Sequence, residues 1–380
     1  MTDYRLYGMP GSLYTAKARS YLIKQRIDFE EDIPAAAAWL EITKEIGRWI
    51  IPVLVTPTGA IIQDGAAIID HIEAIGLARR SAYPDTPVHR AVSLVFELFG
   101  GEGLLRPAMH YRWDYDADNR DFLKADFVAA LMPGATDEVA EAVFGAAGGR
   151  MRKAKQGFGV SAETAPVIQA SYEAFLALLD AHLALHPYLL GGQPTIGDYG
   201  LIGPLYAHLA RDPYPAALMK ARFYNVWRWT ERMNAAQALL DGKYAAETLI
   251  AGDAVPDTLV ALLRFIAEDY LPELVAHVDF ANQWLDGHPD LQTGTNGLPD
   301  PATRAIGRAS FDWHGVTIAS MVMPYRFYLL QRVQAAIAAA GPPIAAILTD
   351  AGLAALATLQ THRPVERVGH LEVWGADRRA

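Results

Sequence analysis

Short apolar runs and amphipathic stretches alternate through the first 75 residues. Tyr4–Tyr7 reads as a strand that ends in a glycine- and proline-bearing loop at residues 8–11. From Ser12 the spacing turns helical, with Leu13, Ala16, Ala18, Tyr21 and Leu22 against Lys17, Arg19 and Lys24. Ser12 or Thr15 can cap that helix. Phe29–Asp32 is the next strand edge. Val53–Val55 is a strand, Pro57-Thr58-Gly59 a turn, and Ala60-Ile61-Ile62 a second strand close enough to pair as a hairpin. Ala67, Ile68, Ile69 and Ile72 then recur at helical spacing behind Asp64, a plausible N-cap. The order strand, helix, strand, helix, strand, strand, helix predicts a βαβ unit followed by a ββα unit. Pro52 sits just before a strand, where proline is tolerated. Base rates make the Ile51–Pro52 bond trans, and a cis bond there turns the preceding backbone outward.

Residues 76–87 form a polar, proline-bearing linker. Beyond it the pattern is helical almost throughout. Residues 88–112 carry Val92, Val95, Phe96, Phe99, Leu104 and Leu105, with Glu97, Glu102, Arg106, His110 and Arg112 interleaved. That polar set reads first as a solvated face, and second as the lining of a cleft between domains. Residues 145–159, glycine-rich and basic, read as a mobile connection or the fraying start of a helix. They lack the preceding strand and lysine placement of a phosphate cradle. Residues 166–186 are strongly amphipathic, and Thr195-x-x-Asp198 has the spacing of a capping box in front of a further apolar helix. In residues 236–380 the pattern predicts one or two helices over 255–284, kinked near Pro272. A short extended pair follows around His314-Gly315, then helices over 323–340 and 344–360, then a polar tail. The chain therefore divides into residues 1–78, an all-helical part at 87–235, and a mostly helical extension at 236–380.

Composition narrows the chemistry. The chain has 380 residues, 52% hydrophobic and 20% charged, with a formal net charge of −10, a globular balance. No basic stripe offsets the negative charge, which argues against nucleic acid as a partner. With no cysteine, disulfides, thiolate–metal sites and a protein thiol nucleophile are excluded together, so any thiol must arrive with a ligand. No apolar run reaches about 18–20 residues, so no membrane span is expected. The start lacks the basic-then-apolar layout of a signal peptide, so the expected location is the cytoplasm. Asp114 to Asp118 lack the glycine and closing glutamate of a calcium loop. His277, His288 and His314 have no carboxylate partner at metal spacing, so no metal site is expected.

The stretch I-P-V-L-V, turn, strand, Gln63-Asp64, then A-x-I-x-x-x-I-E resembles the thioredoxin-like half of glutathione transferases. The run G-x-P-x-S at Gly8 to Ser12 is similar to the loop of the classes that use serine. The stretch L-x-G-x-x-x-T-x-x-D ending at Asp198 is similar to the cap of the core helix of their second domain. The resemblance covers residues 4–235. It implies a thioredoxin-like βαβ–ββα domain (α/β) followed by a glutathione-transferase-type all-α domain with extra C-terminal helices. It also implies that glutathione is substrate or cosubstrate, and that the protein is a homodimer. By the resemblance, Ile51 before a cis Pro52 would offer its backbone to the cysteinyl part, Gln63 and Asp64 would hold the γ-glutamyl end, and the Ser12 hydroxyl would donate to the sulfur. A helix N-terminus favours an anion such as a thiolate. Ser12 as a plain helix cap remains the competing reading, with Tyr7 and Tyr14 as other hydroxyls. One position departs from the family. Asp64 stands where Ser or Thr is usual, and an ionised carboxylate only accepts hydrogen bonds and repels another carboxylate. Thr195 and Asp198 are structural. The implied activity is conjugation of glutathione to a small apolar electrophile in a cleft walled by Met9, Leu13, Tyr111 and Trp113. The alternative is a non-catalytic ligand-binding or protein-interaction module on the same fold.

Overall fold

The computed structural model describes residues 4–240, 242–244, 248–300 and 302–379. Its first part runs β1 (Tyr4–Tyr7), α1 (Leu13–Gln25), β2 (Phe29–Asp32), α2 (Trp39–Ile46), β3 (Val53–Val55), β4 (Ile61–Gln63) and α3 (Gly65–Ala74). The strands lie in the order β2-β1-β3-β4. β1 and β2 are parallel, with Tyr4 opposite Phe29. β3 runs antiparallel to β1, with Leu6 opposite Leu54, and β4 antiparallel to β3. Alternate residues of a strand face opposite layers, and the packing follows that rule. Leu6 and Leu54 pack with Tyr21, Leu22, Ile68 and Ile72 of α1 and α3. Tyr7 and Val53 pack with Trp39, Ile42 and Ile46 of α2.

The helical part comprises α4 (Pro87–Leu98), a π-helical turn at Phe99–Gly103, α5 (Leu105–Trp113), α6 (Asp116–Leu131), α7 (Asp137–Lys155), α8 (Ala165–Leu183), α9 (Ile196–Ala207), α10 (Pro213–Arg222) and α11 (Tyr224–Met233). α9 is buried along nearly its whole length and packs on both α1 and α4. Its backbone touches α4 at Gly200, where a Cβ would stand 2.6 Å from Glu97 Cα. Only glycine permits that approach. Thr195 and Asp198 form the capping box at its start.

The extension holds α12 (Asp257–Asp269), α13 (Leu271–Asp286), the hairpin β5 (Gly307–Trp313) and β6 (Val316–Val322), α14 (Tyr325–Ala340), α15 (Pro342–Asp350), and the hairpin β7 (Val365–Val368) and β8 (Leu371–Trp374). It is fused into the body of the molecule. Leu259, Leu262, Phe327, Leu330 and Trp374 share one apolar core with Leu6, Phe96 and Leu201. α14 lies along α4, and β7 packs on α14.

Several sequence expectations are corrected. Residues 145–155 belong to α7, whose Ala140, Phe144, Ala147 and Gly148 are buried at helical spacing. The helix expected over 344–360 ends at Asp350, with a 3-10 turn at Ala354–Ala357. The polar tail contains the β7–β8 hairpin, whose Val365, Val373 and Trp374 are buried.

Candidate functional site

Ser12 occupies the N-cap of α1 in an extended conformation, and its Oγ accepts from the Thr15 N–H at 3.2 Å. The loop before it folds back onto the helix, since a Cβ on Gly8 would lie 2.2 Å from Thr15 Cγ2. From the helical part, Arg112 pairs with Asp212 at 2.7 Å and donates to the Gly11 carbonyl at 2.9 Å, so a buried ion pair holds the loop that carries Ser12. His208 lies between the Gly11 and Ala108 carbonyls, and burial, reinforced by the Arg112 charge, keeps its imidazole well below its ordinary pKa.

The Ile51–Pro52 peptide bond is cis. Among the described residues, the main-chain N–H and C=O of Ile51 have no partner within the chain, although Ile51 is buried. Buried main-chain polar groups are ordinarily paired, so such a pair is an open binding edge. Ser12 and Ile51 line one cavity of about 650 Å³. Its walls are mostly apolar, with Met9, Leu13, Trp49, Met109, Trp113 and Phe127, and Arg150 stands among the lining residues.

Gln63 and Asp64 lie beside this edge at the end of β4. Asp64 has φ 95, which L residues rarely adopt and which persists where the surroundings over-determine it. It stands at the N-cap of α3 but makes no side-chain cap bond, contrary to the capping role expected from the sequence. Both carboxylate oxygens accept from Tyr325 Oη, each at 2.9 Å, and Oδ2 also accepts from Arg367 Nη1 at 3.1 Å. Gln63 Oε1 accepts from Arg367 Nη2 at 2.6 Å. Glu372 faces both Arg367, at 3.4 Å, and Arg48, at 3.3 Å. Burial opposes the charge on Arg367, but Asp64, Tyr325 and Glu372 more than offset it and its pKa is raised. Burial, and then the Asp64 charge, pushes the Tyr325 phenol well up. The cleft over Ile51, Pro52 and Asp64 is thereby closed by Tyr325, Arg304 and Glu372 of the extension to about 20 Å³, room for roughly one water.

The other hydroxyls are committed elsewhere. Tyr14 lines the small cleft but donates to Glu102 Oε1 at 3.2 Å, and burial, then that carboxylate, raises its pKa. Tyr7 stacks on Trp39 at 5.8 Å. Trp113 reaches the large cavity with Met9 and Leu13. Tyr111, expected on the same wall, instead stacks with Tyr115 and packs on Tyr172 away from it. The interleaved polar residues of α4, the π-helical turn and α5 are not solvated: Glu97, Glu102, Arg106, His110 and Arg112 are all buried. Glu102 accepts from Arg326 at 3.1 Å, Arg106 pairs with Glu273 at 2.6 Å, and Arg326 with Glu273 at 2.7 Å. Burial and the Lys155 charge push His110 down to about 4.

Tyr325 and Arg367 are the contacts that sequence reasoning missed. The one signal for them was Asp64 itself, an acceptor-only group that must find donors when buried. Among the described residues, no group of three His, Asp or Glu is placed to hold a metal ion. His277 is held by Ser320 at 2.8 Å and His314 by Asp269 at 3.2 Å, while His288 stacks on Trp284. No helix among the described residues is long and apolar enough to cross a membrane.

Comparison with known proteins gives two family matches. Residues 6–76 match the glutathione S-transferase N-terminal domain, and residues 137–232 match the glutathione S-transferase C-terminal domain. No curated protein matches the chain. Among solved structures, the chain is similar to the beta-etherase LigF from a Sphingobium species, with 18% identity and a TM-score of 0.44 over 63% of this chain and 98% of that one. It is similar to glutathione transferase GSTFuA3 from Phanerochaete chrysosporium, with 15% identity and a TM-score of 0.44 over 62% and 97%. It is also similar to a glutathione S-transferase from Methylobacterium radiotolerans in complex with glutathione sulfonate, with 19% identity and a TM-score of 0.40 over 65% and 97%.

Proposed function

We propose, for a chain that belongs to the glutathione S-transferase superfamily, that it transfers glutathione to a small apolar electrophile in the cavity beside Ser12. The reading rests on one observation: Ser12, at the N-terminus of α1, and Ile51, whose main chain has no partner among the described residues, line the same cavity. An extended cysteinyl peptide paired with the Ile51 N–H and C=O presents its sulfur toward the N-terminus of α1. There the Ser12 O–H donates to the sulfur while its lone pair still accepts from Thr15, since a hydroxyl has one donor and two acceptor sites. The donor and the positive end of the helix favour thiolate over thiol. The thiol proton leaves to solvent. The sulfur lone pair forms a C–S bond to the electrophilic carbon, and the leaving group departs with the pair of the bond that breaks. The apolar walls hold the electrophile and exclude water.

The test is conjugation of glutathione to an activated aryl halide. Activity above the uncatalysed rate that falls with Ser12→Ala supports the reading, and glutathione binding without any conjugation contradicts it. The second reading, a non-catalytic binding module, is favoured by one feature, the engagement of Gln63 and Asp64 by the chain's own Arg367 and Tyr325.

A further inference from the structure

We propose that Tyr325 and Arg367 are selectivity residues that compete with the γ-glutamyl end of glutathione for Gln63 and Asp64, so that the extension decides which thiols enter the cleft. The inference rests on the glutathione reading above and adds a control that the two matched domains do not contain, because both residues lie beyond residue 232.

The geometry is that of a filled site. Arg367 presents one nitrogen to Asp64 Oδ2 at 3.1 Å and the other to Gln63 Oε1 at 2.6 Å. A cation thus already occupies the place on Asp64 that a ligand's ammonium group needs. Tyr325 Oη donates to the same carboxylate. The cleft that remains beside Gln63 and Asp64 is lined by Arg48, Arg304, Tyr325 and Glu372 and holds roughly one water, so a γ-glutamyl group gains room and free acceptors there only if Tyr325 and the Arg367-bearing hairpin yield. A cysteinyl-glycine unit needs only the Ile51 edge and the larger cavity, and its entry does not require Gln63 or Asp64.

The hairpin is built so that its tip can yield while its base stays. At the base, the Gln331 side chain holds both the N–H and the C=O of Val365 at 2.8 Å, and the Trp374 N–H donates to the Thr295 carbonyl. Val365 and Trp374 are buried, whereas Val368 at the tip is 57% exposed. Toward the thioredoxin-like domain the hairpin makes polar contacts: Arg367 to Gln63 and Asp64, and Arg48 to the His370 carbonyl and Glu372. Lifting the tip exchanges these polar contacts for others and leaves the apolar base intact. Competition of this kind lowers apparent affinity by the fraction of molecules with the tip lifted. It also gives Asp64 a purpose: the acid that replaces a hydroxyl residue is the anchor for Arg367.

The full-length protein is compared with Arg367→Ala for binding of glutathione and of cysteinylglycine, which lacks the γ-glutamyl group. Competition predicts that the variant binds glutathione at least about tenfold more tightly, with cysteinylglycine affinity unchanged. Tyr325→Phe should shift selectivity in the same direction, which keeps the test open if Arg367→Ala folds poorly. Hydrogen exchange on the unmodified protein gives an independent reading: saturating glutathione should lower protection at residues 366–372. Weaker glutathione binding in Arg367→Ala, or a hairpin that gains protection, would make Arg367 a receptor for the ligand carboxylate and overturn the proposal. So would equal affinities in both proteins. If neither protein binds glutathione while both remain folded, the glutathione reading itself falls and takes the inference with it.

Discussion

Replacing Ser12 with alanine separates two roles that one hydroxyl can play together. Ser12 Oγ accepts from Thr15 N–H at 3.2 Å, so its loss removes an N-cap and costs about 0.5–2 kcal/mol of stability. If the same O–H also donates to a bound thiolate, its removal deletes a hydrogen bond to a charged group, of about 1.5–3 kcal/mol. That free energy favours the thiolate over the thiol. Its loss therefore raises the pKa of the bound glutathione thiol by about one to two. The assay is ultraviolet absorbance of the thiolate against pH under saturating glutathione, with denaturant unfolding run in parallel. Ser12→Ala should move the thiolate titration to higher pH, and Ser12→Thr, which keeps a hydroxyl, should move it less. Ser12→Ala with an unshifted titration and a lowered unfolding free energy would refute the reasoning and leave Ser12 a helix cap.

Three further outcomes are expected. Burial pushes Asp198 up to about 6, against hydrogen bonds from Thr195, Leu189 and Trp229. A folded pKa above the unfolded value means that its contribution to stability is full below about pH 4 and is lost as the pH rises through about 6. In Asp198→Asn that pH dependence should vanish. An amide nitrogen facing the Thr195 N–H should also cost about 1–3 kcal/mol in denaturant unfolding. Arg326→Met removes the guanidinium hydrogen-bonded to buried Glu102 and leaves it the Tyr14 hydroxyl and the Arg304 charge, while Glu273 keeps Arg106. The expected loss is about 3–5 kcal/mol, read by calorimetry. The homodimer implied by the family resemblance predicts a mass by light scattering of twice the 41.5 kDa chain, and a mass equal to one chain contradicts it.

The order of elements up to residue 75 was legible because each strand is a short apolar run closed by turn chemistry. The capping box at Thr195 and Asp198 was legible because its partners stand three residues apart. Contacts carried by distant residues were not. Glu102 and Arg106 resemble a solvated stripe until Arg326 and Glu273 arrive from 224 and 167 residues away. Arg367 meets Asp64 across 303 positions. The hairpin that carries it reads as a polar tail because its two strands are only four residues each and its charges find their partners in the first domain. The glycines of residues 145–149 suggested a loose connection, yet they lie inside α7, with Phe144 and Ala147 buried beside them. At the proposed site, Ser12 caps α1 and Ile51 precedes a cis Pro52. What closes the Gln63–Asp64 end is tertiary.

The most direct test is isothermal titration of glutathione into the full-length protein and into Arg367→Ala at neutral pH. The account predicts saturable binding in both, at one site per chain, with the variant tighter. No heat from either protein at millimolar glutathione, with both shown to be folded, would contradict a glutathione site at Ser12 and Ile51.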